Sequence, residues 1–120
     1  MNKEDLRNRT REFAISIVRT VASLPKNRIT DVLGYQLLKS GTSIGANYRE
    51  ACRARSRADF LSKIGIVEQE ADETLYWLEL LEEMSLLDPR ESELLRKEAN
   101  ELLSIFVATG KSTKSPKPTP

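Results

Sequence analysis

The sequence predicts an all-α protein, an antiparallel up-down four-helix bundle. Three observations predict it. Apolar residues recur at steps of three and four in four separate stretches, each several helical turns long. No stretch alternates apolar and polar residues with a period of two, so no strand is expected. The breaks between stretches are short and carry proline or helix-capping residues, around Pro25, Ser56 and Asp88-Pro89. Short connections place consecutive helices side by side and antiparallel.

The first helix is expected from about Lys3 to Ser23. Leu6, Phe13, Ile17, Val21 and Leu24 share one face, and Ala14 and Val18 widen it. Pro25 ends it, because proline lacks the N–H that a continuing helix needs. Pro25-Lys26-Asn27-Arg28 is the connection. The second helix is expected from about Asp31 to Arg55, capped by Thr30 or Asp31. Leu33, Leu37, Gly41, Ile44, Tyr48 and Ala51 make its apolar stripe. Gln36, Ser40, Ser43 and Asn47 make a second stripe, about 100° away, with core-like spacing and polar chemistry.

The third helix opens after Ser56, where Ser56-Arg57-Ala58-Asp59 is similar to a capping box. Phe60, Ile64, Val67, Ala71, Thr74, Leu78 and Leu81 form the cleanest seam in the chain, running until Met84 to Leu87. The fourth begins with Asp88 as cap, Pro89 at the first helical position and Glu91 placed to reach back. Leu95, Ala99, Leu102 and Phe106 follow, flanked by Leu94, Leu103 and Val107, and Gly110 is the expected terminator. Residues 1–110 therefore read as one bundle domain. Residues 111–120, KSTKSPKPTP, have no apolar anchor and read as a disordered basic tail.

With 120 residues the chain suits a single domain with a real core. Its 19 basic and 18 acidic residues leave a net charge of +1, too small for global attraction to nucleic acid. The distribution is uneven. Residues 1–63 carry 13 basic and 6 acidic side chains, and residues 64–110 carry 3 and 12. The lone cysteine, Cys52, excludes an internal disulfide and fits a reducing compartment. The start, MNKEDLRNRTREF, is too polar for a signal peptide, and no run approaches the roughly 20 apolar residues of a membrane span. The expectation is a soluble, cytoplasmic protein with no membrane association.

Ser40 to Arg57 is the most informative segment. Ser40, Gly41, Thr42, Ser43 and Gly45 are poor helix formers in a helical stretch. Such residues are accepted where helices must come close or a polar group must sit between them. The set Gln36, Ser40, Gly41, Ser43, Gly45 and Asn47 therefore reads as a packing device, with a pocket lining as the other reading. Arg49, Arg53, Arg55 and Arg57 follow within nine positions, with Lys63 in the next helix. Guanidinium groups so spaced can grip phosphates through charge and forked donors. Alternatively they pair with Glu50, Asp59 or the acidic third helix, or suit a helix C-terminus. Arg7, Arg9 and Arg11 extend the cluster if the first helix lies beside it. Glu68, Glu70, Asp72, Glu73, Glu79, Glu82 and Glu83 read as a solvated face or as partners of those arginines. Tyr76 and Trp77 sit beside the third helix's seam, and wide apolar stripes favour their use in an oligomer interface over completion of the core.

No catalytic residue, metal ligand or cofactor is assigned. Histidine is absent, which removes the commonest general base and metal ligand. Cys52 reads as a small core residue, and the glycines do not open a phosphate-binding loop. One enzyme reading remains: Glu70-x-x-Glu73 and Glu98-x-x-Glu101 holding Mg²⁺ between facing helices, as in an all-α nucleotide pyrophosphohydrolase.

A longer pattern is more specific. Val18-Arg-Thr-Val-Ala-Ser-Leu-Pro-Lys26, Gln36-Leu-Leu-Lys-Ser40 and Thr42-Ser-Ile-Gly-Ala-Asn-Tyr-Arg-Glu-Ala51 stand in order along the chain. Arg57-Ala-Asp-Phe60, Lys63, Ile64, Glu68-Gln-Glu-Ala-Asp-Glu-Thr74 and Tyr76-Trp-Leu-Glu79 continue the series. This run, over roughly residues 10–85, resembles the bacterial four-helix bundle proteins encoded in 23S rRNA intervening sequences. That family in turn is similar to accessory subunits of diversity-generating retroelements. The resemblance implies a bundle that assembles as a ring-like homopentamer and offers arginine and lysine surfaces to RNA or DNA. The expectation is a non-enzymatic, RNA-associated protein contacting phosphates through Arg49, Arg53, Arg55, Arg57 and Lys63, supported by Arg7 and Arg11. The alternative is an oligomeric adaptor that binds a partner protein through Trp77 and the acidic helix.

Overall fold

A computed structural model describes residues 1–114, which form four helices: α1 (Lys3–Ser23), α2 (Arg28–Cys52), α3 (Arg57–Glu83) and α4 (Pro89–Lys114). Among the described residues there is no strand, and no helix is long and apolar enough to cross a membrane. Every seam runs antiparallel. Across α1/α2, Thr10 meets Gly45 and Ile17 meets Gly41. Across α2/α3, Ser40 meets Thr74 and Glu50 meets Lys63. Arg96 reaches Glu82 across α3/α4, and Arg9 and Thr20 reach Glu98 and Glu91 across α1/α4.

The helix ends follow from local hydrogen bonding. Asn2 caps α1, accepting the Asp5 N–H at 2.8 Å. Asn27, and not the expected Thr30 or Asp31, caps α2 and accepts both the N–H and the hydroxyl of Thr30, so the helix begins at Arg28, three residues before the expected Asp31. Asn is as good a cap as Thr or Asp, and the earlier start buries Thr30 in the first turn. α2 also ends before the expected Arg55. The N–H groups of Arg53 and Ala54 close tight three-residue turns onto Glu50 and Ala51. Ser56 caps α3 through the Asp59 N–H at 3.0 Å.

α3 ends in a Schellman arrangement. The Leu86 N–H bonds to Leu81 O, the Ser85 N–H bonds to Glu82 O, and Ser85 has φ 58°. Glycine usually marks this motif, so a serine there left no signal in the sequence. Asp88 accepts the Arg90 N–H at the start of α4. Glu91 accepts the Thr20 hydroxyl at 2.8 Å and so ties α4 to α1, where the sequence suggested a local reach back. Gly110 does not terminate α4. The helix passes through it to Lys114, because Gly110 lies against α3, where a Cβ would sit 3.4 Å from Glu68 Oε1. Residues 111–114 of the expected tail are thus helical, and 115–120 lie outside the described residues.

The core is one cluster drawn from all four helices, with Ile17, Leu37, Ile44, Ile64, Leu78, Leu102 and Phe106 fully buried. The Tyr48 and Phe106 rings pack with centroids 5.2 Å apart. Gly41 sets the α1/α2 distance: a Cβ there would lie 2.8 Å from two side-chain carbons of Ile17, closer than atoms can pack. Gly65, by contrast, faces open space.

These two glycines predict opposite outcomes in urea unfolding. Gly41→Ala must push Ile17 and α1 outward and is expected to destabilise by about 1–3 kcal/mol, as overpacking does. Gly65→Ala meets nothing and gains helix propensity, so it is expected to stabilise by about 0.5–1 kcal/mol.

Candidate nucleic-acid interface

Arg7 and Arg11 stand one turn apart on α1, and Arg49 lies in the last turn of α2 with Arg53 four residues on at its C-cap. Antiparallel packing brings the two pairs to the same end of the bundle. Between them lies a cleft of about 460 Å³, lined by Arg7, Asn8, Arg11, Gly45, Ala46, Arg49 and Arg53. The close approach of the helices is built at its floor. A Cβ on Gly45 would sit 3.2 Å from Thr10 Oγ1, so glycine lets α1 settle this close to α2 without displacing Thr10. The Thr10 hydroxyl is satisfied within α1 by the Leu6 carbonyl at 3.0 Å.

All four arginines are exposed, and among the described residues none forms a salt bridge or a side-chain hydrogen bond. Inside the bundle the titratable neighbour of Arg7 is Tyr48. Burial, and then the adjacent Cys52 thiol, push the Tyr48 hydroxyl well above the usual tyrosine range, and the charge of Arg7 opposes this shift without overcoming it. Tyr48 is therefore neutral and serves as a packing anchor beneath the cleft.

The remaining cations of the expected cluster go elsewhere. Arg55 is exposed in the α2–α3 connection and does not line the cleft. Arg57 donates to the Thr113 carbonyl near the end of α4. Lys63 is half-buried and pairs with Glu50 at 3.3 Å. Arg9 faces away from Arg7 and Arg11. It donates to both carboxylate oxygens of Glu98, at 2.8 and 2.6 Å, and to Glu101, and these bonds hold it charged against a partly opposing burial. The contiguous run of cations in sequence is thus divided by the fold, and its unpaired half is joined to α1. Asn8 and Ala46 were not singled out in the sequence. The only trace of them is their place one turn from an arginine on the same helix.

The polar stripe of α2 faces α3. Ser40 is buried and its hydroxyl receives that of Thr74 at 3.0 Å. Ser43 donates to the Lys39 carbonyl at 2.6 Å, and Asn47 donates to the Ser43 carbonyl at 2.8 Å. Gln36 is half-buried on the same seam. Ser40, Ser43 and Asn47 are satisfied by their own helix or by Thr74, while Gly41 and Gly45 lie on the opposite seam toward α1. Tyr76 is 57% exposed and meets Trp77 edge-on at 5.0 Å, and Trp77 is half-buried against the core. Seven residues on, Met84 shares the face of Trp77, and it borders a hollow with Ile29 of α2.

The two glutamate pairs do not converge. Glu98 and Glu101 hold Arg9, and among the described residues no three His, Cys, Asp or Glu side chains gather as a metal site. Glu70 sits on the α2/α3 side near Lys39. Burial, then the charge of Glu73, raise its carboxyl above the ordinary value, with Lys39 opposing.

The profile of the 23S rRNA-intervening sequence proteins matches residues 2–108. The chain belongs to that family. The match reaches from the cap of α1 deep into α4 and includes every arginine of the cleft. A crystal structure described as a protein of unknown function from the S23 ribosomal protein family of Bacteroides thetaiotaomicron VPI-5482 is 38% identical to it. The two superpose with a TM-score of 0.86, over 92% of this chain and 99% of that one. No curated protein is significantly similar. For this 23S rRNA-intervening sequence protein, then, the fold is shared with a solved relative, and a functional reading has to come from its own side chains.

Glu70 generates a prediction with a definite sign. Its folded-state pKa exceeds the unfolded one, so the folded protein binds the proton more tightly. Ionised Glu70 therefore costs stability at neutral pH. The cost is relieved as pH falls through the raised pKa, and the relief is complete below the unfolded value. Glu70→Gln is expected to raise the Tm at pH 7, and the difference from the parent is expected to shrink as the pH is lowered to about 4. Thermal unfolding followed by circular dichroism across that range measures both.

Proposed function

We propose that this protein is a non-enzymatic, RNA-associated protein that holds backbone phosphates in the α1/α2 cleft. One observation carries the reading: four guanidinium groups, from two antiparallel helices, surround a single cleft without a carboxylate partner. An unpaired exposed arginine gives up only water and small ions when a phosphate arrives, and release of those counterions favours binding. The net charge of +1 does not oppose this, because the acidic side chains are concentrated in α3 and α4. A bundle charged this way presents its basic end to a polyanion and turns its acidic helices outward. The cleft lining holds no aromatic residue, so contacts there are to backbone and tolerate any sequence. The family's description, which ties its members to intervening sequences of 23S rRNA, favours RNA over DNA.

Filter binding of a single-stranded RNA across a salt series tests the reading. Replacing Arg7, Arg11, Arg49 and Arg53 with alanine is expected to weaken retention. It is also expected to flatten the salt dependence by about 0.7 in log–log slope for each phosphate that is no longer neutralised. Lys63→Ala, which removes an ion-paired lysine, is expected to change little. Absence of RNA retention by the parent at low salt, or a quadruple variant that binds like the parent, refutes the proposal.

A second surface favours self-association, with the ring of five as the specific expectation. Ile29, Val32, Tyr76 and Met84 are each more than half exposed, and Trp77 lies half-buried beside Tyr76. Large apolar side chains left in water at one end of a bundle are what a subunit contact covers. Light scattering is expected to give a mass several times that of one chain for the parent, and a lower mass for Trp77→Ala combined with Met84→Lys. A monomeric parent rules this surface out as a self-contact and leaves it to a different protein partner.

A further inference from the structure

The shape of the cleft carries information beyond its charge. Building on the RNA-associated function proposed for it, we infer that the cleft is a built site for adjacent phosphate groups of one flexible chain. It grips them from two sides, as opposed to a positive face over which a nucleic acid is held by the overall field.

The floor is the first reason. Gly45 and Ala46 are the two smallest residues available, and both line the cleft together with the two arginine pairs. Gly45 is accounted for by the tight contact with Thr10, but Ala46 is exposed and free of any such constraint. A long side chain at position 46 would take up part of the cleft volume without touching the core.

The walls are the second. Residues four apart rise about 6 Å along a helix, so each wall offers two guanidinium groups at successive heights. Two such walls, running antiparallel, set four forked donors around one volume, and the Asn8 amide adds a neutral hydrogen-bonding group at the rim. This arrangement rewards a ligand with several phosphates in a row over one with a single phosphate.

Size and lining are the third. About 460 Å³ is the scale of a small-molecule site. A double helix cannot enter such a space, whereas a few linked phosphates can. With no aromatic side chain in the lining, no base is stacked there, so the chemistry recognised is phosphate alone. A single RNA strand and a free inorganic oligophosphate both offer it, and the experiment separates them.

Fluorescence anisotropy of a labelled oligouridylate, with the full chain, is measured at constant ionic strength. Inorganic tripolyphosphate and orthophosphate are the competitors. Tripolyphosphate is expected to displace the RNA at a concentration roughly tenfold or more below that of orthophosphate, reflecting several charge-assisted bonds against one. Ala46→Leu keeps every charge and places a good helix former on the surface. It is expected to weaken RNA binding by roughly tenfold and to abolish the preference for tripolyphosphate, with unchanged helical circular dichroism.

If Ala46→Leu binds RNA like the parent while the quadruple arginine variant does not, RNA association stands and the built site is overturned. Displacement by tripolyphosphate and orthophosphate at equal concentrations, at this constant ionic strength, overturns it as well. If the parent binds tripolyphosphate in the cleft but retains no RNA, the built site stands, its ligand is the free oligophosphate, and the RNA reading falls.

Discussion

The close contact between α1 and α2 governs most of what this molecule can do. At Gly41 the two backbones are separated by the side chain of Ile17 alone, and at Gly45 by Thr10. Wider spacing would leave Ile17 partly hydrated and open the core beside Leu37 and Ile44. It would also separate the arginine pairs, since Arg7 and Arg11 reach the same space as Arg49 and Arg53 only while the helices touch. Stability and surface chemistry are therefore linked through two positions that carry no side chain.

The arginines illustrate how a bundle sorts like charges by helix face. Arg7, Arg9 and Arg11 are close in sequence, yet 100° per residue sends the middle one to a different seam. There it meets Glu98 and Glu101 and ties α4 to α1. Arg57 and Lys63 are likewise occupied, by the Thr113 carbonyl and by Glu50. The acidic residues of α4 thus absorb Arg9, and Glu50 of α2 absorbs Lys63, but among the described residues no carboxylate reaches the arginines of the cleft, which lies on the far side of α2 from α3.

The two surfaces left unsatisfied are well separated. The cleft is formed by the start of α1 and the last two turns of α2, and the apolar patch by the first turns of α2 together with the end of α3. Val32 and Arg49 lie about 25 Å apart along the helix axis. A protein–protein contact at one end would leave the other open. The crystal structure at 38% identity shows that this fold persists through substitution of most positions. Function in such a fold rests on what its surface presents, since the core is an ordinary helical one.

Much was legible in the sequence because helices announce themselves locally. Period, proline and capping residues set four elements whose limits differ from the structure by a few residues, and the long ordered run from Val18 to Glu79 indicated the family. The errors share a cause. Asn27 in place of Asp31, Ser85 in a left-handed cap and Gly110 inside α4 are positions where several residues satisfy the local rule and neighbours choose among them. Which cations stay unpaired was not legible at all. Spacing along one helix specifies a face, but whether that face meets a carboxylate depends on a second helix and on the angle at which it arrives. The sequence alone determined a four-helix chain with small residues where helices must touch and a basic first half. Only the tertiary structure decided that four of those arginines share one cleft, because pairing between residues some forty positions apart is set by packing.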